Sequence, residues 1–236
     1  MRCVVLFSGG KDSTYALYET LKTGHEVSSL LTMLPRRQDS WMFHHPCVEL
    51  TPLQAEALGL PLTQAKTEGV KELELNDLKK ALENLRDRLG IEAVVSGAIA
   101  SQYQRSRIDR VCEELGLKSL TPLWHRDPET LLKEMLKAGF EIVFTAVAAQ
   151  GFTAEWLGRR LDVEVVEDLK RLNRRYGVNL SLEGGEGETL VLDCPLFRKR
   201  IHLTRVEKVW HLDSGYLIVK ETILLPKKAD NRDNRL

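Results

Sequence analysis

Two short stretches of this 236-residue chain concentrate groups that could do chemistry. In "SGGKDS", residues 8–13, Gly9 and Gly10 let a turn approach a ligand closely, and the Ser8 and Ser13 hydroxyls can donate to phosphate oxygens. The apolar run "CVVLF" before it, and the spacing of Tyr15, Leu17, Tyr18 and Leu21 after it, predict strand, turn and helix. A glycine-rich turn of this kind aims backbone N–H groups and the positive helix end at one point, which makes an anion site. Lys11 adds a point charge. Asp12 would repel a phosphate unless a divalent cation lay between them, so the motif implies Mg2+ with Asp12 as its ligand. The second stretch, "EGGEGE", sets Glu183, Glu186 and Glu188 around Gly184, Gly185 and Gly187, just before an apolar run. Taken alone it reads as a solvent loop.

The first motif is neither the G-x-x-x-x-G-K-[ST] loop of most NTPases nor the G-x-G-x-x-G of dinucleotide binders. At the end of a first strand, S-G-G-K-D-S instead resembles the PP-loop of ATP pyrophosphatases. That resemblance implies ATP held by its β and γ phosphates, cleavage between the α and β phosphates, and loss of pyrophosphate. Loop amides, Lys11 and magnesium would meet the charge building on the leaving group. Adenine is then expected at the end of the second strand, near Leu31, Thr32 and Met33. Ser96 and Gly97 belong to the same sheet edge, with Gly97 permitting close approach.

Further candidates lie beyond the fourth strand. Gln102, Tyr103, Arg105, Ser106 and Arg107 open a helix, and arginine forks could clamp phosphate or a substrate carboxylate. Arg105 and Arg107 cannot both point the same way on one helix, so one of them is expected at the surface. His125, after Trp124, suits a helix cap or a junction better than a titrating role. His44 and His45 have no further ligands at metal spacing, and their Arg- and His-rich loop, 35–48, could cover the nucleotide or meet a partner.

These groups need a frame to hold them. Strands are expected at 27–34, near 61–65 and at 91–96, separated by helical or polar segments. Leu78, Leu82, Leu85 and Leu89 mark one amphipathic helix, and Ile108, Val111, Cys112 and Leu115 another. This alternation predicts an α/β fold: an N-terminal parallel sheet flanked by helices, Rossmann-like, with ligands at the carboxyl ends of the strands. After about residue 125 the pattern changes. Asp127 and Pro128 start a helix that Gly139 ends, "EIVFTAVAA" follows as a strand, and Val165, Leu169, Leu172 and Tyr176 mark a further helix. Strands at 189–194, 201–210 and 216–225 complete a smaller α+β unit. The expected division is 1–125 for ATP binding, 126–226 for the substrate and 227–236 as a polar tail.

Composition narrows the partners. Hydrophobic residues make up 43%, enough for a core, and 34 basic residues balance 34 acidic ones, which argues against a stable nucleic-acid partner that needs a basic field. No run approaches a membrane span, and no leader pattern is visible. The four cysteines are scattered with no C-x-x-C pair, so reduced, buried thiols in the cytoplasm are expected.

Three more stretches decide among PP-loop enzymes: 96–117 ("SGAIASQYQRSRIDRVCEELGL"), 121–127 ("TPLWHRD") and 183–197 ("EGGEGETLVLDCPLF"). With "SGGKDS" they resemble the diphthine-ammonia ligase family over residues 1 to about 220. The resemblance implies ATP-dependent amidation, by ammonium, of diphthine on translation elongation factor 2, through an acyl-adenylate, yielding diphthamide, AMP and pyrophosphate. It turns the acidic loop from solvent turn into site, with Glu183 and Glu186 binding or deprotonating ammonium, or contacting the acceptor, and Glu188 on the substrate side. Gly187 departs from the family pattern, where an aromatic residue is frequent. A PP-loop enzyme adenylylating a small carboxylate or tRNA, and a non-catalytic ATP binder, stay as alternatives; a homo-oligomer is compatible with the chain.

Overall fold

A computed structural model describes residues 1–35, 47–68 and 73–227. The first sheet holds β1 (Arg2–Leu6), β2 (Glu26–Pro35), β3 (Leu62–Thr67), β4 (Ala93–Val95) and β5 (Lys118–Leu120), all parallel, in the order β3-β2-β1-β4-β5. Alternation along β1 feeds two cores. Cys3 and Val5 pack with α1 (Lys11–Lys22) and α2 (Thr51–Leu58) on one face. Val4 packs with α3 (Leu73–Leu89) and α4 (Gln102–Leu115) on the other. The expected stripes are the buried ones: Leu78, Leu82 and Leu85 on α3, and Ile108, Val111, Cys112 and Leu115 on α4.

Because the strand order reverses between β1 and β4, their carboxyl ends part and leave a crevice, the place where open α/β sheets take ligands. Two elements go beyond the sequence reading. β5 has only three residues, and α2 is a single short helix between β2 and β3. The arginine- and histidine-rich loop with His44 and His45, and the tail beyond Lys227, lie outside the described residues.

The second sheet, in the order β7-β6-β9-β8, is antiparallel, from β6 (Glu141–Val147), β7 (Gly187–Asp193), β8 (Lys199–His211) and β9 (Ser214–Pro226). Two helices, α5 (Pro128–Lys137) and α6 (Val163–Tyr176), complete this part. Asp127 caps α5 as expected, accepting from the Thr130 N–H at 2.8 Å, and Pro128 fills the first turn. No gap divides the two sheets: Tyr15 of α1 meets Phe140 edge-on at 5.4 Å, within a core that runs from Val5 to Val191.

Candidate functional site

The turn after β1 is built against its neighbours. Gly9 adopts φ +81°, and a Cβ there would fall 2.0 Å from the Gln54 side-chain oxygen, so only glycine fits. Its carbonyl accepts from Val191 N at 3.0 Å and from Gln54 Nε2 at 2.9 Å, which ties the turn to β7 and α2. Ser13 Oγ accepts from Ser8 N at 3.2 Å, meets Ser8 Oγ at 3.1 Å and donates to Gly10 O, bracing the turn from inside. Gly10 brings no side-chain cap to α1, whose first N–H, that of Lys11, donates to Thr189 Oγ1 of β7 at 3.1 Å, while the positive end of the helix dipole faces the pocket.

Lys11 is buried, and its Nζ donates to Ser181 O at 2.6 Å and to Asp12 Oδ2 at 2.7 Å. Asp12 Oδ1 is buried and has no hydrogen-bond partner among the described residues. Burial pushes the Asp12 carboxyl above the usual carboxylate range; Lys11 opposes this, while Glu183 and Glu188 add to it. An acidic group held this way is ready for a cation.

Beside the turn opens a pocket that spans the crevice and reaches the acidic loop. Leu6, Leu31, Met33 and Ile108 give it an apolar wall, and Ser96 lines it with a buried hydroxyl that has no partner among the described residues. Gly97 presses on the first turn of α1, where a Cβ would sit 2.7 Å from the Asp12 carbonyl carbon. Met33 faces the pocket, whereas Thr32 is turned away and donates to Phe7 O at 2.7 Å.

The α4 candidates separate by helical phase. Gln102 is exposed; Arg105 stacks on Trp124 at 4.3 Å and pairs with Asp109; Arg107 lies over the Tyr103 ring at 3.6 Å. None of the three lines the pocket, and the residues of α4 that do are Gln104 and Ile108, one turn apart on the same face. His125 adopts φ +56° and donates its N–H to Ile99 O at 2.8 Å, at the junction between the two parts.

The three glutamates of the acidic loop diverge. Glu188 lines the pocket near Asp12. Glu186 folds back over Gly184 and accepts from Asn179 N at 3.2 Å, away from the pocket wall. Glu183 lines the pocket, and its two oxygens accept from Ile99 N and Ala100 N, both at 2.7 Å. Gly187 opens β7 against Val147, its Cα side facing Ala146 O, where a Cβ would come within 3.1 Å.

Family models match both parts of the chain, the diphthamide synthase N-terminal domain over residues 1–119 and the C-terminal domain over 127–225. The chain belongs to the diphthamide synthase family. Proteins named diphthine–ammonia ligase are 40% identical in Schizosaccharomyces pombe, 37% in Danio rerio and 35% in Homo sapiens, over 94%, 92% and 89% of this chain. The chain spans 40% of the fission yeast protein, and 91% and 86% of the other two. A solved structure titled as a subunit of a tRNA methyltransferase from Methanocaldococcus jannaschii aligns with a TM-score of 0.46 and 18% identity over 83% of this chain and 98% of that one, too loose a likeness to carry an assignment.

In this member of the diphthamide synthase family, sequence reasoning missed Gln54 and Gln104. The spacing of Gln104 to Ile108 could have revealed the second, since Ile108 already marked the buried stripe. The two ends of the pocket differ in chemistry: an apolar wall suits a base, and the polar end suits phosphates. Among the described residues no group of three or more His, Cys, Asp and Glu side chains is placed to hold a metal ion. A single carboxylate with one oxygen left without a hydrogen bond among the described residues, as at Asp12, fits magnesium that arrives with a nucleotide's phosphates. Among the described residues no helix is long and apolar enough to cross a membrane.

Proposed function

We propose that this chain is an AMP-forming ligase that joins ammonia to the carboxyl group of diphthine on translation elongation factor 2. The observation that carries the reading is one pocket on which a glycine-built anion turn at a helix N-terminus and the acidic loop of the family's C-terminal part both open. Residues 1–125 would bind ATP and residues 126–226 would receive the acceptor, in the cytoplasm.

In this reading the triphosphate lies on the turn of Ser8, Gly9, Gly10 and Ser13, and the base lies against Leu31, Met33 and Ile108 near Ser96 and Gly97. ATP supplies the adenylyl group: the diphthine carboxylate attacks the α-phosphorus, pyrophosphate leaves, and ammonia then displaces AMP from the acyl carbon. Lys11 and the amides of the turn stabilise charge on the leaving pyrophosphate. Asp12 would hold Mg2+, whose charge lowers the repulsion between phosphates and carboxylate. Glu188, beside Asp12, keeps the acceptor end negative, which favours ammonium and gives its proton a destination. Arg105 and Arg107, outside the pocket around Trp124 and Tyr103, would face the incoming protein together with Gln102.

The thiols weigh against sulfur transfer to tRNA. All four cysteines are buried and free, and burial pushes Cys47, Cys112 and Cys194 up to about 12, which keeps them protonated and unreactive. The direct test supplies ATP, Mg2+, labelled ammonium and diphthine-bearing elongation factor, then measures AMP and the mass of the modified peptide. Labelled amide matching AMP one to one is expected; ATP binding with no amide on a verified acceptor would refute the reading.

A further inference from the structure

We infer that Glu183 is a positioning residue that locks the acidic loop to the loop following β4, so that nucleotide binding and ordering of the acceptor side become one event. The inference rests on the amidation reading only in naming ATP and ammonium as the ligands. In the acidic loop, an expected role for Glu183 is to bind ammonium. Its contacts say otherwise. Each carboxylate oxygen takes one of two successive backbone N–H groups, Ile99 and Ala100, at 2.7 Å, across 84 and 83 residues of chain. Two charge-assisted bonds from rigid backbone donors fix the side chain and share out its charge, which weakens its pull on a mobile cation.

The clamp is one link in a closed ring around the mouth of the pocket. Glu183 N donates to Ser181 Oγ at 3.3 Å, and Ser181 O accepts from Lys11 Nζ at 2.6 Å. On the other side, Ile99 O accepts from His125 N, and Gly97, two residues before Ile99, abuts Asp12 and Ser13 with no room for a Cβ. The ring runs from Lys11 through Ser181, Glu183, the 99–100 backbone and Gly97 back to Asp12. Lys11, Asp12, Gly97, Ser181 and Glu183 all line the pocket. A phosphate that draws Lys11 toward the turn must therefore load Ser181, and Ser181 loads Glu183. By linkage, an acceptor that orders the acidic loop tightens nucleotide binding by the factor with which nucleotide tightens acceptor binding.

The test uses the full chain, a non-hydrolysable α,β-methylene analogue of ATP with Mg2+, and hydrogen exchange resolved at the 97–101 amides. In the wild-type protein the analogue should slow exchange at Ile99 and Ala100; unchanged exchange would overturn the coupling without any variant. Glu183→Gln should weaken analogue binding about tenfold and speed exchange at both amides, since it puts an NH2 group against one of the two donors. Its KM for ammonium should stay within about twofold of wild type. Ala100→Pro deletes one donor while leaving the carboxylate intact, and should reproduce the Glu183→Gln pattern. If Glu183→Gln instead raises the ammonium KM about tenfold while Ala100→Pro is silent, Glu183 is an ammonium ligand and the inference is wrong. A wild-type protein that forms no amide would sink the amidation reading, while analogue binding and exchange would still decide the coupling.

Discussion

The two glycine-rich loops that meet at the pocket use glycine for opposite ends. In the turn of Gly9 and Gly10, glycine is needed because neighbours are already there: Gln54 occupies the space of a Gly9 side chain, and Thr189 O stands 3.2 Å from that of Gly10. In the acidic loop, Gly184 and Gly185 are exposed; a Cβ on Gly184 would meet the end of the Glu186 side chain at 2.7 Å, and among the described residues nothing lies within 4 Å of one on Gly185. The first loop is prefabricated by packing. The second is held by its carboxylates, Glu183 on the Ile99 and Ala100 amides and Glu186 on Asn179. A site that must hold a triphosphate in one geometry and admit a large protein substrate can divide the tasks in this way, with a rigid half and an adjustable half.

Breaking the rigid half should have the largest effect. Gly9→Ala meets both a left-handed backbone and the buried Gln54 amide, so it should cost about 3 kcal/mol or more and abolish nucleotide binding, measured by denaturant unfolding and calorimetry. Asp12→Asn keeps the shape of the turn but takes the paired carboxylate from the buried Lys11, so it should lower the melting temperature by a few degrees while AMP formation falls about a hundredfold or more; full AMP formation would remove Asp12 from the mechanism. Gln104→Leu sharpens the distinction within the rigid half. Among the described residues its amide is the one carboxamide on the pocket wall, and its loss should reduce the preference for ATP over GTP about tenfold in equilibrium binding, with little change in melting. On the adjustable side, Glu188→Gln should raise the ammonium KM about fivefold and leave ATP binding intact, the pattern of a lost substrate contact. The smallest effect belongs to Gly185→Ala, which pays only the left-handed backbone at φ +85° and should cost about 1 kcal/mol.

The same division governs what the sequence discloses. The strand–turn–helix of residues 2–22 is legible because its signals are local: an apolar run, two glycines, a helical stripe. The leucines of α3 and the Ile108 stripe of α4 are equally plain. β5 is not, because three residues of strand leave no period to detect, and the eight-residue α2 hides in the same way. At the site, the acidic signature draws attention to Glu183, but its partners are backbone N–H groups more than eighty residues away, and backbone donors leave no mark in a sequence. The arginines of α4 attract attention by charge, and helical phase then turns Arg105 to Trp124 and leaves the pocket to the uncharged Gln104. Thr32 and Met33 show the strand version: adjacent residues on β2, pointing to opposite faces.

The Gly9 carbonyl, bonded by Val191 and by Gln54, which itself also donates to Val191 O at 2.9 Å, makes the rear of the first turn a piece of the far end of the polypeptide. Cutting the chain between residues 119 and 127, where one family model ends and the next begins, would not release a portable nucleotide-binding cassette. The first fragment would lose the backing of its turn and lay bare the surface that Phe140 and its neighbours cover. In this architecture a transplanted first part is expected to need its second to keep the turn in shape.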